Sequence, residues 1–286
     1  MFDGYSGATR VIFIVGDPIA QVKSPAGVTA QLRQRGVNAI VVPAHVVPAD
    51  LAGWTAAVAR MRNVDGILVT VPHKFDALPL CVELTPRAAS IGAVNILRRA
   101  SAEPGAGWLG DMCDGEGHVN ALHQAGCNPA GRRALLVGAG GAGSAIAHAL
   151  VDAGVAALAV HDPDAARLSA LLGKLARYAA ATGKAPALLA GSADPAGYGL
   201  VVNATPLGMR AGDPLPVAVQ RLDAATFVSD VVTVPAVPPL IAQARARGCG
   251  TMTGTGMFDG VRECIVDFYM APSAASRFAA STSELT

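Results

Sequence analysis

A glycine-rich run at residues 138–143, GAGGAG, constrains the fold of this chain more than any other stretch. The residues before it, 133–137 (RALLV), form an apolar run that predicts a buried strand. The residues after it, 144–150 (SAIAHAL), predict a helix. A strand followed by a glycine-rich turn and a helix is the setting of a dinucleotide-binding fingerprint. The run therefore predicts a Rossmann unit in the second half of the chain.

Three glycines of this run have distinct expected roles. Gly138 allows the tight turn, Gly140 lets a pyrophosphate approach the backbone, and Gly143 lets the helix pack closely on the strand. The phosphates would then meet the free amides at a helix N-terminus. The residues predicted to bind the cofactor in this loop are Gly138, Ala139, Gly140, Gly141 and Ala142.

An acidic residue follows the next predicted strand. That strand covers residues 155–160, and Asp162 comes after it, about 20 residues past the glycine run as the fingerprint expects. A carboxylate there hydrogen-bonds the ribose hydroxyls and repels a 2′-phosphate. We therefore expect NAD to be preferred over NADP. The alternative role for Asp162 is to cap the helix that begins near Pro163, and capping and ribose binding can coexist.

Composition excludes several classes of protein. The formal net charge of +1 gives no electrostatic footprint for nucleic acid, so a small-molecule substrate is expected. Charged residues, Gly and Pro interrupt each apolar run before the ~18 residues of a membrane span. The N-terminus lacks the pattern of a secretory signal, and five cysteines without metal-type spacing suit a reducing cytosol. We expect a cytoplasmic enzyme without a metal, and a homodimer is one of the open oligomeric states.

Strands and helices alternate along the first half. Strands are predicted at residues 10–15, 39–43 and 66–71, with one helix starting near Ser24 and another over residues 48–62. This order predicts an α/β fold with a parallel sheet. We expect a substrate-binding N-terminal domain (1–114), a Rossmann domain (115–250), and a C-terminal segment (251–286) whose helix packs back on the first domain.

Lys74 is the first candidate for chemistry. The predicted strand at 66–71 stops before Pro72, so Lys74 lies at the carboxyl end of the sheet. Ligands of open α/β folds bind at that end. A lysine there can donate a proton to a carbonyl oxygen as hydride arrives, or accept one from a hydroxyl. The alternative is a solvated loop lysine.

Motifs along nearly the whole chain resemble the shikimate/quinate dehydrogenase family. They are GDPI (16–19), KSP (23–25), VTVPHK (69–74), IGAVN (91–95), DG (114–115), GAGGA (138–142), NATPLGM (203–209) and GTGM (254–257). The resemblance implies an NAD-dependent oxidoreductase that transfers hydride between nicotinamide and a cyclic polyhydroxy acid of the shikimate or quinate type.

The resemblance also implies residue roles. Lys74 and Asp114 would form an acid–base dyad at a cleft between the domains, with Asn95 on substrate hydroxyls. The other implied substrate-binding residues are Ser24, Thr70 and Met257, and the other implied cofactor-binding residues are Asn203, Ala204, Thr205 and Val232. Taken alone, Asp114 also fits a helix N-cap and Asn95 a turn residue that satisfies local amides.

Several usually polar positions of the family are apolar or different here. They are Val22, Leu68, Met112, Thr233 and Val261. Unless Lys23, Arg262 or another group compensates, the lost hydrogen bonds, of roughly 0.5–1.5 kcal/mol each, should weaken shikimate binding. Two alternatives therefore stay open: the same scaffold acting on a non-shikimate alcohol or ketone, or a nucleotide-binding regulator with little turnover. The presence of Lys74, Asp114 and Asn95 argues against the regulator, which needs no proton-transfer dyad.

Overall fold

The computed structural model describes residues 4–103 and 105–271. The chain divides into two compact units. The first contains the described residues up to Cys113 together with those from Arg262 onward, and the second is Asp114–Val261. The predicted C-terminal segment is thereby divided, because residues 251–261 belong to the second unit and 262–271 to the first.

The first unit contains a sheet of strand order β2-β1-β3-β5-β6-β4 in the described residues. The strands are β1 (Arg10–Gly16), β2 (Ala39–His45), β3 (Val64–Val69), β4 (Glu83–Leu84), β5 (Ile96–Arg99) and β6 (Trp108–Asp111). The helices are α1 (Ser24–Gln34), α2 (Leu51–Val58) and α3 (Pro86–Ile91).

This sheet is only partly parallel. β1 runs parallel to β2 and β3, as predicted, but β5 is antiparallel to both β3 and β6. The predicted parallel arrangement is therefore confirmed for β1, β2 and β3, and it does not extend to β5. The connection between β5 and β6 contains no helix, and a parallel pair requires a crossover of a dozen or more residues, usually helical.

Two predicted element bounds in this unit are wrong. β3 ends at Val69 rather than residue 71, because Pro72 lacks an N–H and the Val71 carbonyl accepts from the Asp17 amide at 3.0 Å. The helix predicted over 48–62 ends at Val58. Just beyond this end, the guanidinium of the buried Arg99 donates hydrogen bonds to the carbonyls of Ala59 and Met61.

The last helix, α8 (Gly254–Met270), begins in the second unit and ends in the first. Its buried Tyr269 fills the space above Gly66 in β3, where a Cβ would overlap the ring. The Tyr269 hydroxyl donates to the carbonyl of Leu97 at 3.0 Å. Apolar contact and a satisfied hydroxyl thus fix this end of α8 on the first sheet.

The second unit has the strand order β9-β8-β7-β10-β11-β12, and all of these strands pair in parallel. The strands are β7 (Arg133–Val137), β8 (Ala157–His161), β9 (Ala187–Ala190), β10 (Leu200–Asn203), β11 (Phe227–Asp230) and β12 (Gly250–Met252). The helices are α4 (Asp114–Gln124), α5 (Gly141–Asp152), α6 (Ala165–Thr182) and α7 (Pro239–Ala246). This is the strand order of a Rossmann fold, so the predicted fold class is confirmed.

Candidate functional site

The glycine loop between β7 and α5 has the predicted backbone geometry. Gly138 has a φ of +105°, and a Cβ there would lie 2.9 Å from the carbonyl oxygen of Ala204. A Cβ on Gly143 would overlap the carbonyl oxygen of Gly138, so α5 packs directly against the end of β7. A Cβ on Gly140 would meet no atom within 4 Å. The loop therefore leaves open space at a helix N-terminus, where a phosphate fits.

Asp162 is bound to this loop. Its carboxylate accepts from the backbone N–H of Ala139 at 2.7 Å and from that of Asp164 at 2.9 Å, and the residue is 8% exposed. It does not cap α6, because that helix begins at Ala165 rather than near Pro163. The alternative helix-capping role for Asp162 is therefore wrong.

Asp164 caps α6 instead. Its carboxylate accepts from the backbone N–H groups of Ala166 and Arg167, both at 3.0 Å. These bonds lower the pKa of Asp164, and the bond from the Arg167 backbone is the largest cause. The Arg167 guanidinium lies 3.0 Å from the Asp164 carboxylate and 3.6 Å from that of Asp162. Arg167 was not predicted from the sequence, although its i,i+3 spacing from Asp164 is typical of a helix ion pair.

Asn203 organises the turn after β10. Its side-chain oxygen accepts from the Thr205 amide at 3.1 Å and from the Thr205 hydroxyl at 2.6 Å. Its Nδ2 donates to the Leu207 carbonyl at 3.2 Å. The Ala204 amide donates to the Val137 carbonyl at 2.8 Å, which ties the turn to the end of β7. The turn is thus held beside the glycine loop.

The turn after β11 is the neighbouring one. The backbone N–H of Val232 donates to the Asp230 carboxylate at 2.9 Å, and a Cβ on Gly254 would overlap the Val232 carbonyl. Val232 therefore packs against the start of α8, which also carries Met257, a residue 7% exposed.

The predicted cofactor residues are thus gathered at one edge of the second sheet. The glycine loop, Asp162, the turn of 203–205 and Val232 follow the carboxyl ends of β7, β8, β10 and β11. The strand that follows β7 in sequence, β8, lies on one side of it, and β10, which follows β9, lies on the other. The strand order thus reverses at β7, which makes this edge a topological switch point. Such points are where open α/β sheets bind ligands.

Lys74 lies in the first unit, just beyond β3, and is half-buried. Its carbonyl accepts from the Val94 amide at 2.9 Å. The preceding His73 is fully buried, and its Nε2 lies 2.7 Å from the Val46 carbonyl. The backbone on both sides of the lysine is therefore anchored at the carboxyl end of β3.

Asn95 stands next to that anchor. Its carbonyl accepts from the Val69 amide at 2.8 Å, and its own amide donates to the Asp111 carbonyl at 3.0 Å. The side-chain oxygen accepts from the Cys113 amide at 2.9 Å, while Nδ2 lies 3.4 Å from the Cys113 sulfur. The Asn95 side chain thus holds the Cys113 amide, which is 18 residues further along the chain.

Ser24 and Thr70 occupy different places in this unit. Ser24 is the first residue of α1 and is 8% exposed, with Val22 half-buried just before it. Thr70 follows β3, and its amide donates to the Val15 carbonyl at 2.9 Å. A Cβ on Gly16 would overlap the Thr70 methyl group, so Thr70 is packed on the end of β1.

Asp114 is the first residue of α4, directly after Cys113, and is 5% exposed. One turn along the helix, His118 is completely buried with Nε2 3.2 Å from the Ser229 hydroxyl. Burial lowers the pKa of His118 to about 4, and the nearby charge of Asp114 opposes that shift. His118 was not predicted as a site residue, although its i,i+4 spacing from Asp114 places both on one face of α4.

Among residues 4–103 and 105–271, no cluster of His, Cys, Asp and Glu has an arrangement suited to a metal ion. Within the same residues, no helix combines the length and apolar character that a membrane span requires.

Comparison with known proteins gives consistent relatives. A sequence model of the shikimate dehydrogenase substrate binding domain matches residues 14–97. Shikimate dehydrogenase (NADP(+)) of Acidiphilium cryptum is 37% identical over 253 residues, covering 88% of this chain and 87% of that protein.

Two solved structures share the fold across nearly the full length. Quinate dehydrogenase from Corynebacterium glutamicum in complex with NAD is 29% identical, with a TM-score of 0.78 and coverage of 91% of this chain and 93% of that one. The ligand-free 5-ketofructose reductase of a Gluconobacter strain is 26% identical, with a TM-score of 0.78 and coverage of 94% and 95%.

The sequence identity and the shared length, together with the Rossmann edge described above, place this chain in the shikimate dehydrogenase family of NAD(P)-dependent oxidoreductases.

Proposed function

We propose that this protein transfers hydride between a nicotinamide dinucleotide and a cyclic polyhydroxy acid of the shikimate or quinate type. The observation that carries the proposal is the β7–β10 edge, where an open helix N-terminus at Gly140 lies beside the turns of Asn203 and Val232. An edge of this kind suits a ligand with a pyrophosphate and a nicotinamide. The bound cofactor would supply or accept the hydride.

Lys74 is the proposed acid–base group. In the oxidation direction, its neutral amine would accept the proton of the substrate hydroxyl. In the reduction direction, its ammonium donates a proton to the carbonyl oxygen. The contact of His73 with the Val46 carbonyl and that of the Lys74 carbonyl with the Val94 amide hold the backbone around Lys74 in place. This supports the role, because proton transfer requires a fixed geometry.

Asp114 and Asn95 are the proposed partners of that chemistry. Asp114 would stabilise the ammonium form of Lys74 as a counter-charge. Asn95 is proposed to hydrogen-bond a substrate hydroxyl, since a side-chain amide can both donate to and accept from hydroxyls. Ser24, Thr70 and Met257 are proposed to line the substrate.

We propose NAD as the preferred cofactor. Asp162 and Asp164 place two carboxylates at the end of β8, and both would repel a 2′-phosphate. The Arg167 guanidinium, the cation nearest to them in the described contacts, is paired with Asp164. Against this preference stands the NADP(+) in the name of the Acidiphilium relative, whereas the Corynebacterium structure contains NAD.

A second candidate is the same hydride transfer on an alcohol or ketone without the shikimate carboxylate. The half-buried Val22 at the start of α1 favours it, because an apolar side chain beside Ser24 offers no donor to a carboxylate. The likeness to 5-ketofructose reductase gives it further support.

One assay separates these candidates. Reduction of NAD and of NADP would be followed with shikimate, quinate and carboxylate-free cyclic or linear polyols as substrates. We expect turnover with a cyclic hydroxy acid and a higher kcat/KM with NAD. Turnover confined to carboxylate-free polyols would replace the first candidate by the second, and NADP-selective turnover would contradict the cofactor proposal.

A further inference from the structure

Asp230 ends β11 beside Asn203, which ends β10. The two residues are register partners across the parallel pair, and both are completely buried. Two polar side chains thus meet at the edge of the sheet where the cofactor is proposed to bind. Buried polar groups of this kind are retained in folded proteins when they are hydrogen-bonded.

One oxygen of Asp230 joins the two turns. Oδ1 accepts from Asn203 Nδ2 at 3.1 Å and from the Val232 amide at 2.9 Å. Asn203 in turn binds Thr205 and Leu207 through the contacts described above. A single carboxylate oxygen therefore connects the turn after β10 to the turn after β11.

The second carboxylate oxygen of Asp230 takes no part in these contacts. Asp230 Oδ2 has no hydrogen-bond partner within the described parts of the chain. Burial raises the pKa of Asp230 to about 6, although the bonds from Val232 and Asn203 oppose the shift. A buried carboxylate with a bare oxygen is destabilising by itself. We therefore look for the role of Asp230 in the two groups that its Oδ1 atom holds in place, the Asn203 side chain and the Val232 amide.

Both turns are in tight contact with other cofactor elements. The carbonyl of Ala204 would be 2.9 Å from a Cβ on Gly138, and the carbonyl of Val232 abuts Gly254 at the start of α8. A small displacement of either turn would move the glycine loop or Val232. The cofactor edge has little freedom to compensate, because packed interiors transmit small shifts.

We propose that Asp230 is a positioning residue for the cofactor, which fixes the Asn203–Thr205 turn and the Val232 amide in the arrangement that binds a nicotinamide dinucleotide. The inference rests on the proposed function for the identity of the ligand. Asp230 itself is buried and acts through Asn203 and Val232 rather than by touching the ligand.

Calorimetric titration with NAD tests this role in folded variants whose stability is measured separately. Asp230→Ala removes the acceptor, and we expect its Kd for NAD to rise about tenfold or more. Asp230→Asn keeps the Oδ1 acceptor without the charge, so its Kd should stay within about threefold of wild type. If Asp230→Ala does not fold, Asp230→Ser, whose hydroxyl can accept one of the two bonds, should show an intermediate loss.

Val228→Ala is the matched control. Val228 is fully buried on the same strand but takes no part in the polar contacts, so the variant loses stability through a cavity and should keep its Kd. Wild-type affinity in the alanine or serine variant would overturn the inference. A large loss of NAD affinity in Asp230→Asn would also overturn it, and so would a loss in Val228→Ala equal to that in Asp230→Ala. Failure of the wild type to bind either NAD or NADP would instead contradict the proposed function.

Discussion

Three charged residues lie at the end of β8, where the cofactor ribose is proposed to bind. Asp162 is buried and bound to the Ala139 amide, whereas Asp164 is partly exposed and paired with Arg167. An arginine beside a ribose suits a 2′-phosphate, because its planar donors match phosphate oxygens. The pairing with Asp164 keeps Arg167 from acting in that way. If NAD is the preferred cofactor, as proposed, we expect that preference to depend on the partly exposed Asp164 more than on the buried Asp162.

Asp164→Ser should shift the cofactor preference toward NADP. Serine keeps the N-cap of α6 but removes the charge and releases Arg167, so the ratio of kcat/KM for NADP over NAD should rise about tenfold. The measurement is steady-state kinetics with each cofactor. Asp194→Ser is the control, since Asp194 pairs with Arg221 elsewhere in the same unit and caps nothing at the cofactor edge. An unchanged ratio in Asp164→Ser would refute the role of this charge pair.

At the scale of the elements, the parallel strands of the second unit were the most predictable part. The bounds of β7 match its apolar run, because strands covered on both faces are continuously hydrophobic. The glycine loop was equally clear from its place between strand and helix. Both features depend on local sequence.

The contacts between elements could not be predicted in the same way. The bond from Ala139 to Asp162, the Asp230–Asn203 pair and the burial of His118 depend on which side chains tertiary packing brings together. The antiparallel pairing of β5 with β3 also depends on how the elements pack together and not on the local sequence of β5. Sequence patterns gave the residue types of the candidate site, and packing determined which atoms remain available to a ligand.

Gly140 and Gly143 should respond differently to alanine. Gly143→Ala should destabilise the fold by several kcal/mol, about 2–4, because its Cβ overlaps the Gly138 carbonyl. Gly140→Ala should fold normally, since its φ of −73° suits alanine and its Cβ meets open space, yet it should weaken NAD binding by blocking the phosphate. Chemical denaturation and NAD titration give both quantities. A Gly140→Ala variant with wild-type affinity would contradict phosphate binding at this loop.

At the scale of the whole molecule, two buried groups of the second unit act in opposite directions on stability. Asp230 has a pKa raised to about 6, so its contribution is present at low pH and is lost as pH rises through 6. His118 has a pKa lowered to about 4, so its contribution is present above the unfolded pKa and is lost as pH falls toward 4. Each effect amounts to about 3 kcal/mol at most, and the two largely offset each other between pH 4 and 6.5.

Single substitutions should separate these two effects. Relative to wild type, Asp230→Asn should gain stability as pH rises from 4 to 6, and His118→Leu should gain stability as pH falls from 6.5 to 4. Urea denaturation at several pH values measures both trends. A difference from wild type that stays constant with pH in either variant would mean that the group does not titrate with a shifted pKa.

Turnover of Lys74→Ala, measured together with its affinity for NAD, tests the proposed chemistry most directly. Lys74 lies in the first unit and the cofactor edge in the second, so we expect the Kd for NAD to stay within about threefold of wild type. We expect kcat to fall by about 10²–10⁴, the usual loss when a general acid–base group is removed. Lys184→Ala, which changes an exposed lysine, should retain wild-type kcat. Turnover of Lys74→Ala close to that of wild type would contradict the assignment of Lys74 as the proton-transfer group.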